Sequence, residues 1–197
     1  MEARLVAWAR AVKSRHRHDR RSLPILWLFT DERRLRDPRA SVARLPRGLA
    51  GVVLRHDSDP RRAVLGRALA RICRARRLAL VVAGDVRLAA ALGAGVHLRG
   101  GRWPGHARTR RGWLTSSAHT RAELRRARHA GADLAFLSPA FPTPSHAEAT
   151  GLGPARWSRL ARAAGMPVAA LGGTNHATVR RLPMVLCRAV GAIGALA

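Results

Sequence analysis

The sequence predicts a single-domain α/β protein, a (β/α)8 TIM-type barrel, on three observations. Eight apolar runs of four to six residues recur along the 197 residues. They are short and do not alternate, as expected of strands buried on both faces of a parallel sheet. Amphipathic helical stretches separate many of them, which gives either a doubly wound sheet or a closed barrel, and the count of eight favours the barrel. A glycine pair, Gly172-Gly173, leaves the seventh run, where barrels of this kind hold phosphate.

The elements follow in chain order. Glu2–Val12 places Leu5, Trp8, Ala9 and Val12 at i, i+3, i+4 and i+7, a helical stripe. Residues 1–22 read as a basic N-terminal helix and linker, and residues 23–197 as the barrel. Strands are expected at Ile25–Phe29, Gly51–Leu54, Leu78–Val82, Gly95–Leu98, Trp113–Ser116, Leu134–Leu137, Pro167–Leu171 and Arg188–Ile193. A helix over Arg61–Arg74 has Val64, Leu65, Ala68, Leu69 and Ile72 on its expected inner face. Thr120–Ala130 opens on a capping-box pattern, Thr120 with Glu123, and turns Leu124 and Ala127 inward. Pro154–Ala164 and Asn175–Leu182 are two further helices, the first entered through proline. The crossovers Arg33–Leu45 and Arg99–Gly112 carry proline, glycine and little periodicity, so helices there are expected to be short or absent. The eighth helix is missing or truncated, and the N-terminal helix is expected to cover the gap between the last and first strands.

Composition narrows the function classes. The hydrophobic fraction of 47% supplies a core. No run of 18 uncharged apolar residues exists and the N-terminus lacks a signal-peptide h-region, so no membrane association is expected and the setting is read as cytoplasmic. The formal charge of +26 invites a nucleic-acid reading, but the basic residues are arginines throughout except Lys13, and they are spread along the chain. Phosphate contacts give no reason to exclude lysine, so arginine-rich codon usage accounts for the charge and nucleic acid is not the expected ligand. Cys73 and Cys187 are expected as packed free thiols.

The working residues of such barrels sit after the strands, in the βα loops. Leu171-Gly172-Gly173-Thr174-Asn175 leaves a strand and opens a helix, so bare N–H groups at a positive helix end would favour a phosphate. The alternative is a tight turn that needs glycine. Phe141-Pro142-Thr143-Pro144-Ser145-His146 is a stiff loop with two hydroxyls, suited to a diphosphate or simply to a surface turn. His97 lies inside an apolar strand and reads as a satisfied interior residue. His16 and His18 read as part of a solvated basic arm, and His119 has no Cys, Asp or Glu beside it to build a catalytic or metal site.

These same residues carry a family resemblance. Leu26-Trp27-Leu28-Phe29-Thr30-Asp31, Gly93-Ala94-Gly95-Val96-His97-Leu98, Ser117-Ala118-His119-Thr120, Gly131-Ala132-Asp133 through Ser138-Pro139 to His146, and Pro167 through Gly173 resemble, in order and spacing, the thiamine phosphate synthase / thiazole tautomerase (TenI) family. The resemblance runs from about Leu23 to Ala197. It implies a protein of thiamine biosynthesis that joins a pyrimidine diphosphate to a thiazole phosphate, releases diphosphate and uses magnesium. It implies Arg55, Ser117, Thr143, Ser145 and His146 at the diphosphate, and Gly172, Gly173, Thr174 and Gly194 at the thiazole phosphate. Asp85 is the residue it leaves for a metal.

The departures are specific. Val53 stands where the family has glutamine, Asp57 and His146 where it has lysine, and Gly194 where it has serine. A carboxylate at Asp57 is expected to repel a diphosphate. Ala83-Gly84 replaces the magnesium-binding Asn-Asp, and no carboxylate falls in Arg99–Trp103, where another acidic ligand is expected. The tautomerase histidine is absent at Pro139. Three readings stay open: a synthase, a catalytically degenerate phosphate-ligand binder or regulator of thiamine metabolism, and a tautomerase-like enzyme. A small phosphorylated thiazole or pyrimidine is the expected ligand in each, and a homo-oligomer is compatible with all three.

Overall fold

The structure is a computed structural model and describes residues 3–18, 22–106, 112–143 and 150–197. Its centre is a closed barrel of parallel strands: β1 Leu26–Phe29, β2 Ala50–Leu54, β3 Ala79–Ala83, β4 Gly95–Leu98, β5 Leu114–Ala118, β6 Leu134–Leu137, β7 Val168–Leu171 and β8 Cys187–Ala192. Each strand pairs with its sequence neighbours, and β8 returns to β1 with Leu26 opposite Val190. The expected barrel and all eight strands are therefore present, with ends displaced by up to two residues. Closure leaves no sheet edge to protect.

The barrel interior is filled by complementary size. Trp27 and Phe29 point inward and meet Phe136 edge to face at 5.7 Å and 4.8 Å. Room for them comes from glycine on the adjacent strands: a Cβ on Gly51 would stand 2.6 Å from the Trp27 ring, and one on Gly191 2.7 Å from Phe29. Trp27 donates its indole N–H to the Pro24 carbonyl at 2.8 Å, so its one polar atom is satisfied in the core. Val53 belongs to this interior apolar cluster. Leu26, Leu28, Val52 and Leu54 alternate outward into the second, larger core beneath the helices.

The helices are α1 Ala3–Arg15, α2 Arg39–Arg44, α3 Arg62–Arg76, α4 Val86–Leu92, α5 Arg121–His129, α6 Gly153–Arg162 and α7 His176–Val179, and a 3-10 turn, Gly194–Leu196, follows β8. The crossover after β1 holds only the short α2, entered after Pro38. Among the described residues none of the β4–β5 crossover is helical; it carries an isolated antiparallel bridge between Arg99 and Arg102. Helix α4 was not expected. Asp85 caps its start by accepting from the Leu88 N–H at 2.9 Å, and Gly93 ends it in the left-handed region.

The inner face of α3 corrects the sequence reading. Gly66, Leu69, Ala70 and Cys73 are buried, whereas Val64 is 59% exposed and Leu65, Ala68 and Ile72 are only half-buried. Small residues at i, i+4 and i+7 let the helix approach β2 and α4, where a Cβ on Gly66 would stand 2.8 Å from Leu92 and 3.2 Å from Leu54. Close approach won over side-chain hydrophobicity, and the stripe rotated. In α5 the capping box is altered: Thr120 accepts from the Glu123 N–H at 3.2 Å, but the Glu123 carboxylate takes the His119 N–H rather than that of Thr120. Cys73 and Cys187 are free and buried, with burial pushing both thiols up to about 12.

Helix α1 buries Leu5, Trp8, Ala9 and Val12, as its periodicity predicts, and lies against α7 and β8. Lys13 donates to the Gly48 carbonyl at 2.6 Å, which ties the helix to the loop before β2 as well. Its apolar stripe is part of the outer core rather than an appendage. Trp8→Ala should therefore destabilise the whole barrel by roughly 3 kcal/mol, the low end for a buried tryptophan, because its indole N–H has no partner to lose. Chemical denaturation of the variant measures this, and an unchanged midpoint would show that α1 is not coupled to the barrel.

Candidate active site

The C-terminal ends of the strands open into one cavity of about 1170 Å³. Phe29, Ala83 and His97 form its floor near the barrel axis. The His97 imidazole shares a 2.9 Å hydrogen bond with the Thr115 hydroxyl and meets the Phe29 ring at 5.5 Å. Burial, aided by the Arg55 and Arg99 guanidiniums, lowers its pKa to about 3, so the floor is neutral. This is the satisfied interior histidine that its apolar strand predicts.

The wall built by β2, β4 and β5 is polar. Arg55 follows β2, and its backbone N–H donates at 2.9 Å to the hydroxyl of buried Thr30, which fixes the start of the loop. Thr30 lies beneath the rim and Arg55 lines the cavity. Ser117, on β5, accepts the Gly100 N–H at 3.2 Å, and Ser116 accepts the Gly101 N–H at 2.9 Å. Two hydroxyls thus hold the β4–β5 loop against β5. His119 faces the Ser138 carbonyl at 2.9 Å and lines the cavity beside Ser138 and Pro139.

The opposite wall comes from β6, β7 and β8. Thr143 lines it, while Ser145 and His146 lie outside the described residues. Gly172 and Gly173 have φ of 86° and 64°, and a Cβ on Gly173 would stand within 3 Å of Phe141 and Pro142 backbone oxygens. The turn reading therefore holds, and the two glycines also line the cavity. Among the described residues, the N–H groups of Gly173, Thr174, Gly194 and Ala195 donate to no protein acceptor, and all four residues line this corner. Such free donors at one spot form an anion-binding concavity.

Two details differ from the sequence expectation. The helix α7 has only four residues, and Asn175 takes its first N–H groups, those of Ala177 and Thr178, both at 2.9 Å. The N–H groups without a protein acceptor lie in the two glycine-bearing loops and not at the helix end. Thr174 is buried, with its hydroxyl donated to the Gly191 carbonyl, so it braces β7 against β8 and offers its backbone to the cavity.

The arginines Arg34, Arg99, Arg102 and Arg181 also line the cavity; the sequence places Arg99 at a strand end but assigns none of the four a ligand. In a chain with 37 basic residues an arginine carries no positional signal. Arg181 lies over the Phe141 ring, 5.6 Å from its centre, next to the glycine corner. Asp57, read as repulsive to an anion, is not bare: Arg99 holds one oxygen at 2.7 Å and Arg62 the other at 3.2 Å.

Magnesium, which the family generally uses, does not fit the donors among the described residues. The ion needs carboxylate oxygens free to face it. The described cavity lining contains two carboxylates, Asp57 and Glu123. The first is bound by two arginines, and the second takes the His119 N–H and lies 3.6 Å from Arg126. Asp85 caps α4 and does not line the cavity. No group of three or more His, Cys, Asp or Glu among the described residues could hold a metal ion.

Fold and site together define a single-barrel protein with an arginine-lined cavity at the C-terminal end of its strands. Residues 26–196 match the family described as thiamine monophosphate synthase. The chain is 35% identical over 175 residues to the thiamine-phosphate synthase of Halorhodospira halophila, covering 81% of each protein. It is 34% identical over 90 residues to that of a Psychrobacter species, covering 43% of this chain and 41% of the relative. Among solved structures, thiamine phosphate pyrophosphorylase from Pyrococcus furiosus superposes with a TM-score of 0.70 at 22% identity, covering 87% of this chain and 86% of that one. The protein of the same name from Bacteroides thetaiotaomicron gives 0.60 at 19%, covering 88% and 84%. This chain belongs to the thiamine monophosphate synthase family. No helix among its described residues is long and apolar enough to cross a membrane.

Proposed function

We propose that the protein is a thiamine phosphate synthase, joining a pyrimidine diphosphate to a thiazole phosphate with release of diphosphate in the cytoplasm. One observation carries the reading. A single cavity is lined on one wall by Gly172, Gly173, Gly194 and Thr143 and on the other by Arg55 and Ser117. Two phosphorylated ligands need two such halves. In the reaction the bond from the pyrimidine's methylene carbon to the diphosphate oxygen breaks, its electron pair leaves with that oxygen, and the thiazole nitrogen's lone pair forms the new bond to that carbon. Cations and hydroxyl donors around the oxygen stabilise the charge as it develops. Arg55 supplies charge, and Ser117, Thr143 and Ser145 supply donors. His146 takes the place of the family's lysine.

The assay is diphosphate release from the two purified substrates. Release that requires both is the expected result. Thiazole phosphate binding without diphosphate release would favour the second reading, a phosphate-ligand binder, which the carboxylate at Asp57 and the interior apolar Val53 support.

Gly194 provides a finer check on the phosphate half. A Cβ there would meet nothing within 4 Å, so serine fits without adjustment. Gly194→Ser adds a hydroxyl donor beside the free N–H groups and is expected to tighten thiazole phosphate binding about fivefold, the value of one hydrogen bond of ~1 kcal/mol. An unchanged Kd by calorimetry would remove Gly194 from the phosphate contacts.

A further inference from the structure

Building on the diphosphate reading of this cavity, we infer that guanidinium groups, Arg99 foremost, perform the charge neutralisation for which a divalent ion would otherwise be needed. The diphosphate then binds without metal. The geometry is direct. Arg99 leaves the end of β4 and lies across the backbone of Gly84 at the end of β3, where a Cβ would stand 3.3 Å from its guanidinium carbon and two of its nitrogens. Gly84 has a φ of 65°, which disfavours a side chain there. The space beside β3 in which a carboxylate would present itself to a cation is thus filled by a cation.

Asp57 competes for one edge of that group, 2.7 Å away. Its second oxygen belongs to Arg62, whose largely buried side chain also donates to the Ala83 carbonyl and is fixed between β2 and β3. Among the described residues Arg99, 62% exposed, is held at one edge. A guanidinium has five N–H donors in a rigid fork, so the edge bound to Asp57 leaves others for a phosphate oxygen. Among the described residues five arginines line the cavity, Arg34, Arg55, Arg99, Arg102 and Arg181, against two carboxylates that are both already paired. The positive potential reaches the floor, where Arg55 and Arg99 add to burial in keeping His97 neutral.

The test is calorimetric titration of the intact protein with inorganic diphosphate, in chelator and in millimolar magnesium. Binding in chelator, changed less than about threefold by magnesium, is expected. Arg99→Gln should weaken it ~10-fold or more, since a charge-assisted hydrogen bond is lost. Arg71→Gln, on the exposed face of α3, should leave it unchanged. Asp57→Asn should strengthen it by freeing Arg99. Binding that appears only with magnesium, or that weakens in Asp57→Asn, would overturn the inference and leave the diphosphate reading intact. Equal losses in Arg99→Gln and Arg71→Gln would reduce the effect to general attraction by a basic protein and overturn it too. No binding under either condition would end both.

Discussion

Gly173→Ala is expected to abolish thiazole phosphate binding and to cost about 3 kcal/mol or more of stability. Two causes add. Alanine at a φ of 64° costs roughly 1–2 kcal/mol, since the Cβ crowds the following carbonyl. The new methyl would also overlap the Pro142 carbonyl and stand 2.8 Å from the Phe141 Cβ and carbonyl oxygen, and those are backbone or buried atoms with no free rotamer to yield. Relief requires the β7 loop to move, and the N–H groups of Gly173 and Thr174 move with it. Gly194→Ala separates the steric from the local effect, because its methyl meets nothing. Thiazole phosphate titration and urea midpoints should show loss in Gly173→Ala and little change in Gly194→Ala. Parental affinity in Gly173→Ala would exclude this turn from the site.

Acid should destabilise the barrel through His97. Its folded pKa of about 3 lies below the ordinary 6.5. Between those values the unfolded chain takes up a proton that the folded chain refuses. Stability from this group is full above pH 6.5 and is lost as the pH falls toward 3. At about 1.36 kcal/mol per unit the full loss approaches ~5 kcal/mol, comparable to the whole stability of many domains. His97→Gln keeps a hydrogen-bonding partner for Thr115 and does not titrate. Its denaturation midpoints should therefore fall less steeply between pH 6.5 and 4 than those of the parent. Parallel slopes would mean that His97 charges inside the folded barrel.

Part of the candidate site's lining is legible in the chain because its determinants are local. Gly172 and Gly173 after a strand, or the polar Ser117 within one, are visible as short patterns whose chemistry does not depend on distant partners. The arginines were different. Arg99 and Arg181 have the same local appearance as Arg71 or Arg10, which face away from the cavity, and only strand order and loop path separate them. Asp57 was misjudged for a related reason: its repulsion of an anion was read from its own charge, while Arg62 and Arg99 lie five and 42 residues further along the chain.

By itself, the sequence determined the barrel, its strand order and the glycine corner, since apolar runs, caps and glycines act through nearest neighbours and the pleat. It also determined that α1 carries a buried stripe of Leu5, Trp8, Ala9 and Val12. Tertiary structure alone decided which face of α3 packs, because the close approach at Gly66 is set by Leu54 and Leu92 on other elements. It also decided where the charge goes: an ion pair such as Arg99–Asp57 exists only once β2 and β4 are held across the barrel rim, and no local pattern encodes that distance.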